Sequence, residues 1–344
     1  HGPGAWETLA NRLGVRPDYV SHWKNQSVAY PKHIAAVEKA LQALFEGDST
    51  GSGQFFHIEA VERVGKPAMP PRLQKQTNIA DNVDEALRGI VCLGVAVDAG
   101  GTHLPEVEVD GETKVVRQVG SGFFVRSSGI LLTCEHVRQL CRRLPGILIA
   151  CPYLDTGEGA GKIDWSLAWR VRVLAHTEHW DTAVTPVPEP QAQAVGGPVD
   201  AAVMQVTREL VSGRDVGEVV VIPGGSQAIT VLRIGESTQL SVTEDLFCLG
   251  FPSGIQFGST PTPSKGSFSG IMTDEVGKWI KFTGLISGGH SGGPTVRSDG
   301  TVIGWNIRNR LPANGVSGLC HLRPIEAAHP CLNAAYALEG GTML

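Results

Sequence analysis

Gly289-His290-Ser291-Gly292-Gly293-Pro294 is the stretch on which the reading of this 344-residue chain turns. A serine that attacks a carbonyl must project from a tight turn. The backbone N–H groups around it must converge on the oxyanion that forms. Glycine at 289 lets that N–H turn inward, and Gly292–Gly293 let the chain pass close behind the serine. The competing reading is a glycine-rich hairpin loop without chemistry.

A serine nucleophile needs a base, and the base needs an orienting partner. Upstream, Gly120-Ser121-Gly122-Phe123-Phe124-Val125 reads as a strand and Ser127–Gly129 as a turn. Ile130-Leu131-Leu132-Thr133-Cys134-Glu135-His136-Val137 then reads as a second strand ending at the base, His136. The partner should be a buried carboxylate. Asp200 stands at the mouth of the apolar strand Ala201–Val206. Asp181 is the rival, but Pro186 in its strand would remove a ladder hydrogen bond. His176 and His179 with Asp181 suggest metal ligands only weakly, and a loop or strand end is the simpler reading. Glu135 beside the base and His290 beside the serine are unusual local choices. His290 reads as a solvent-facing loop side chain, with substrate binding as the alternative.

The rest of the chain supports a β scaffold. Forty-three glycines and 21 prolines punctuate short apolar runs, among them Ile90–Val97, Val219–Ile222, Ile229–Ile234, Leu246–Gly250, Trp279–Phe282 and Thr301–Ile307. Over about residues 85–330 the chain resembles the chymotrypsin-fold serine proteases, the trypsin-like clan, and within it the HtrA/DegP branch. The order His136, Asp200, Ser291 carries the resemblance, with Leu246–Gly254, Lys265–Ile271 and Asp299–Gly304 in the matching order. It implies a mainly β fold, a double six-stranded β-barrel of the chymotrypsin type. It also implies a serine endopeptidase acting on protein or peptide substrates through an acyl-enzyme. His136, Asp200 and Ser291 would be catalytic and the N–H groups of Gly289 and Ser291 the oxyanion hole, with no metal or organic cofactor required. Leu285 would floor the main specificity pocket, with Ile307 and Asn309 in its wall. Such sites can be built yet held inactive, so an oligomer or activating partner fits the family.

There are departures. His136 and Asp200 stand 64 positions apart, so residues 140–195 are expected to hold an enlarged loop. No Ile-Val-Gly-Gly activation sequence is evident before the barrel, and no PDZ domain is expected after it.

The first 46 residues read differently. Leu9–Asn25 resembles the helix-turn-helix of Cro/cI-like repressors, with Arg16, Tyr19, Ser21, His22 and Lys24 on or near the exposed face of the second helix. Arg12, Arg16, Lys24, Lys32 and Lys39 are matched by Glu7, Asp18, Glu38, Glu46 and Asp48. A neutral module binds phosphates weakly, so a DNA partner and a protein partner both stay open. The expected organisation is a small all-α helix-turn-helix domain (1–46), a Gly/Pro-rich linker (47–79) and the barrels (80–344). The barrels would divide near 207–217, with a closing helix near 324–338.

Composition excludes other classes. A formal net charge of −5 argues against a generally basic nucleic-acid binder. Seven scattered cysteines do not form a secreted disulfide framework, no run is long and apolar enough for a membrane span, and no signal peptide is visible. The expected setting is the bacterial cytoplasm, in a stress or anti-phage role. The second function class is a DNA- or protein-binding regulator that uses a silent protease fold as a scaffold.

Overall fold

Apolar runs broken by Gly, Pro and Asp-Gly fold into two six-stranded rings. The computed structural model describes residues 78–98, 104–154, 162–178, 185, 187–222, 228–252, 261–307 and 319–339. Arg16, Tyr19, Ser21, His22 and Lys24 of the helix-turn-helix-like stretch lie outside the described residues, as do His179, Asp181 and Asn309.

The described chain opens with β1 (Asn78–Ile79) and helix α1 (Val83–Arg88), and the first ring and its attachments begin with β2 (Ile90–Val97), β3 (Glu106–Val109), β4 (Glu112–Phe124), β5 (Ile130–Thr133) and helix α2 (Glu135–Arg143). It continues through β6 (Gly146–Leu154), β7 (Lys162–Ile163), β8 (Trp169–Thr177), β9 (Gln193–Val195) and β10 (Ala202–Glu209). Antiparallel pairing runs β2–β4–β5–β10–β8–β6 and back to β2, which closes the ring. All eight residues of β2 are buried, as a continuous Val/Ile/Leu run at the centre of a closed sheet should be. The β3–β4 hairpin turns at Asp110-Gly111, both with positive φ (54° and 83°), the pairing that a two-residue hairpin loop favours.

The second ring holds β12 (Asp245–Gly250), β13 (Thr262–Asp274), β14 (Gly277–Phe282), β15 (Pro294–Val296), β16 (Val302–Asn306) and β17 (Cys320–Pro324). It closes in the order β12-β13-β14-β17-β16-β15 around Leu246, Phe268, Ile280, Phe282, Ile303 and Leu322. Each such side chain contributes about 1.5–3 kcal/mol when fully buried. The connection between the rings runs from 210 to 244 and contains β11 (Thr230–Val231), which pairs in parallel with β1. After β17 a 3-10 turn (Ile325–Ala328) leads into α3 (His329–Leu338), which crosses back onto β8 and β10 of the first ring.

Two expectations are corrected. The stretch 140–195, expected to hold an enlarged loop, also supplies β6 and β8, two staves of the first ring, while the connection from β8 to β10 carries only the three-residue β9 among its described residues. Glycine punctuation in the stretch serves close strand approach: a Cβ on Gly146 would lie 2.3 Å from the Ala96 carbonyl oxygen. The strand expected to end at His136 stops at Thr133 instead, and His136 is the second residue of α2.

Candidate active site

Strand register explains why His136 and Asp200 meet. β5 and β10 are antiparallel neighbours with Thr133 opposite Ala202. The residues that follow Thr133 and those that precede Ala202 therefore leave the sheet at the same end. There the Asp200 carboxylate grips His136 twice. Its Oδ1 accepts the His136 backbone N–H at 2.8 Å, and its Oδ2 lies 2.6 Å from Nδ1. Asp200 is buried and is held from the second ring as well. The Trp305 indole N–H donates to the Asp200 carbonyl (3.1 Å), and Arg323 donates to the Pro198 carbonyl (3.2 Å).

The loop that carries Ser291 is joined to this same end. The carbonyl of Asn306, at the end of β16, accepts both the Gly292 N–H (2.9 Å) and the Cys134 thiol (3.2 Å), two residues before His136. A Cβ on Gly292 would fall 2.1 Å from the Ser121 carbonyl oxygen and 2.2 Å from Thr133 Oγ1, so only glycine lets the loop seat. Gly292 also has a φ of +86°, and Gly289 has +92°. Ser291 itself is 8% exposed. Within the loop the N–H groups of His290, Gly292 and Gly293 donate to the carbonyls of Ser287, Asn306 and His290. Those of Gly289 and Ser291 donate to no group among the described residues.

Cys134, His136 and Asp200 bring possible metal-binding atoms within 4.8 Å of one another. The set does not suit a cation. Both Asp200 oxygens already serve His136, and burial pushes the Cys134 thiol well above its ordinary range, with Asp200 adding to the effect. The same burial makes Cys134 unfit as a nucleophile.

Glu135 is buried in an ionic cluster. Arg138 meets it twice (2.6 and 2.7 Å), Gln139 donates to it at 3.0 Å, and His176 Nδ1 lies 3.7 Å away. Burial raises the Glu135 carboxyl above its usual range, and the Arg138 partner only partly offsets this. Arg142 and Arg138 then reach Glu189, tying α2 to the segment that precedes β9.

Two further expectations change. Leu285, expected at the floor of the specificity pocket, is 78% exposed, and its neighbour Ile286 is the buried residue of that segment, in the second core. His290 is 3% exposed rather than solvent-facing. The Ser287 hydroxyl and N–H approach its Nδ1 at 3.1 and 3.4 Å, and burial lowers its pKa. Ile307 is buried directly after β16.

The trypsin-like peptidase domain matches residues 120–304, more than half of the chain. The chain belongs to that family. Among its relatives, a probable periplasmic serine endoprotease DegP-like from Hahella chejuensis is 24% identical over 129 residues, covering 38% of this chain and 28% of the relative. The putative serine protease HhoA of Synechocystis sp. is 30% identical over 228 residues, covering 65% of this chain and 44% of the relative. The chain thus spans less than half the length of either. The solved structure of the HtrA-type protease AlgW with a decapeptide overlaps 76% of this chain and 67% of that one, at 16% identity and a TM-score of 0.48.

Within this trypsin-like domain, sequence reasoning passed over Ser121. It was legible only as the middle of a Gly-Ser-Gly strand motif. Its partners lie as far as 168 positions away, and no local pattern announces them.

Proposed function

We propose that this chain is a serine endopeptidase in which Ser291 attacks the peptide carbonyl and an acyl-enzyme forms. The observation that carries the reading is the double grip of Asp200 on His136, at the end of the first ring where the Ser291 loop is seated. With its Nδ1 proton shared with Asp200, the imidazole offers Nε2 as the base. Nε2 takes the Ser291 proton as the Oγ–carbon bond forms. It then returns that proton to the leaving amine as the peptide C–N bond breaks. Water repeats the sequence on the ester and releases Ser291. The N–H groups of Gly289 and Ser291 would hold the oxyanion.

Intact-mass analysis after treatment with a fluorophosphonate probe tests this. One adduct on the wild type and none on Ser291→Ala is expected. Equal labelling of both, or of neither, overturns the reading and favours the scaffold alternative.

For the setting, we infer a reducing compartment, the cytoplasm, from seven free and buried thiols. The Hahella chejuensis relative is named periplasmic, and fractionation of the native host decides between them. Residues 1–46 keep their reading as a DNA- or protein-docking module on sequence grounds. A salt-dependent shift of DNA mobility by the full chain, lost on Arg16→Ala with Lys24→Ala, is expected if the partner is DNA.

A further inference from the structure

We propose that Ser121 is a positioning residue that latches the oxyanion loop open for chemistry. The proposal rests on Ser291 being the nucleophile. Ser121 lies on β4 of the first ring, is fully buried, and reaches across to the loop of the second ring. Its backbone N–H donates to the Ser291 carbonyl at 2.9 Å, and its hydroxyl donates to the Gly289 carbonyl at 2.7 Å. One residue thereby captures the carbonyls on both sides of His290.

The capture has a geometric consequence. With the carbonyls of residues 289 and 291 held toward the first ring, peptide units 289–290 and 291–292 are fixed, so the units that carry the Gly289 and Ser291 amides are each anchored at an adjoining peptide plane; the Gly293 N–H, donating to the His290 carbonyl at 2.9 Å, holds the Ser291 unit as well. The only loop amides left undonated among the described residues from 289 to 293 are those of Gly289 and Ser291. These are the two that an oxyanion needs.

The latch is itself braced. The Phe251 N–H donates to the Ser121 hydroxyl (3.0 Å), and the Thr133 hydroxyl donates to the Ser121 carbonyl (2.7 Å). With Phe251 donating to it, the hydroxyl has its proton free for Gly289. The space is fitted to a small side chain: a Cβ on Gly250 would lie 3.0 Å from Ser121 Oγ and 2.9 Å from His290 Cα. A buried serine that merely satisfies neighbours would affect stability alone. One that sets the loop would affect the step in which negative charge develops.

Fluorophosphonate inactivation, followed over time and read as separate kinact and KI values, distinguishes these roles when thermal unfolding is measured on the same samples. Ser121→Ala is expected to lower kinact about 10–100-fold with KI nearly unchanged, below the ~10²–10³ that loss of a whole oxyanion donor brings. An unchanged kinact, a loss confined to KI, or a loss explained by the unfolded fraction overturns the latch. Should Ser121→Ala fail to fold, Ser121→Cys decides. It keeps the volume and a weak donor, and a smaller fall in kinact is expected, whereas an unchanged kinact again overturns the proposal. A wild type that takes no label removes the nucleophile assignment itself, and the latch falls with it.

Discussion

His290 sits between the proposed nucleophile and the Gly289 amide, and burial disfavours its charged form. Its Nδ1 lies 3.1 Å from the Ser287 hydroxyl and accepts the Ser287 N–H at 3.4 Å. Protonating the ring would bury a charge, a cost that contacts with the Thr262 and Ser287 backbone only partly offset. The folded pKa is therefore below the 6.5 of an unfolded histidine, and burial is the main cause. The unfolded chain binds more protons in that window, so the stability contributed above pH ~6.5 is lost as pH falls toward the folded value. The half-buried His321 acts in the same sense. Melting temperature should decline on acidification below pH ~6.5, and His290→Asn should flatten that slope. At the other end of the site, Asp200→Asn keeps the geometry but presents the wrong imidazole tautomer, and kcat should fall about 10⁴-fold. Ser291 and His136 were legible because glycines at fixed spacing and a strand-turn-strand pattern are local signals. The inward turn of His290 was not legible, because it depends on how Gly250 and Ser121 pack beneath the loop.

Among the described elements, α2 carries a buried ionic cluster. Arg138 is fully buried against Glu135, and Glu189 joins them from the segment before β9. Truncating one partner of such a pair leaves an uncompensated buried charge. Arg138→Met should destabilise the domain by about 3–5 kcal/mol in denaturant unfolding. Glu135→Gln, which removes a carboxylate already disfavoured by burial, should cost less. Strands with uninterrupted apolar runs could be read from sequence: Ile90–Val97 is a strand over those same residues. Helix α2 was missed because its start has no side-chain cap; Cys134 precedes it with extended backbone and continues the strand pattern. β6 and β8 were missed because Pro145, Gly146 and Pro152 read as loop punctuation, whereas two of the three lie within a strand.

Across the whole molecule, the two rings are held by polar ties at the site and by the return of α3. The Arg126 guanidinium stacks 3.6 Å from the Tyr336 ring centroid, and Glu339 accepts from Ser128 and Gln205, all on the first ring side. Tyr336→Ala should cost about 3–5 kcal/mol, the range for deleting a buried aromatic, and unfold the first ring at lower denaturant. All seven thiols are buried. A thiol reagent should find almost none in the native protein and seven after denaturation. That the chain would form β barrels or a sandwich was readable from its short apolar runs, and two six-stranded rings were implied by the resemblance to the trypsin-like clan. That its last helix would close the first ring was not, because nothing in Cys331–Tyr336 names its partner. This return has a consequence in time. A ribosome delivers the proposed base and its aspartate first, the serine much later, and the brace on the first ring last. A chain made only as far as Asp200 holds no complete set of the proposed reacting groups, so the proposed chemistry waits until the second ring has been synthesised.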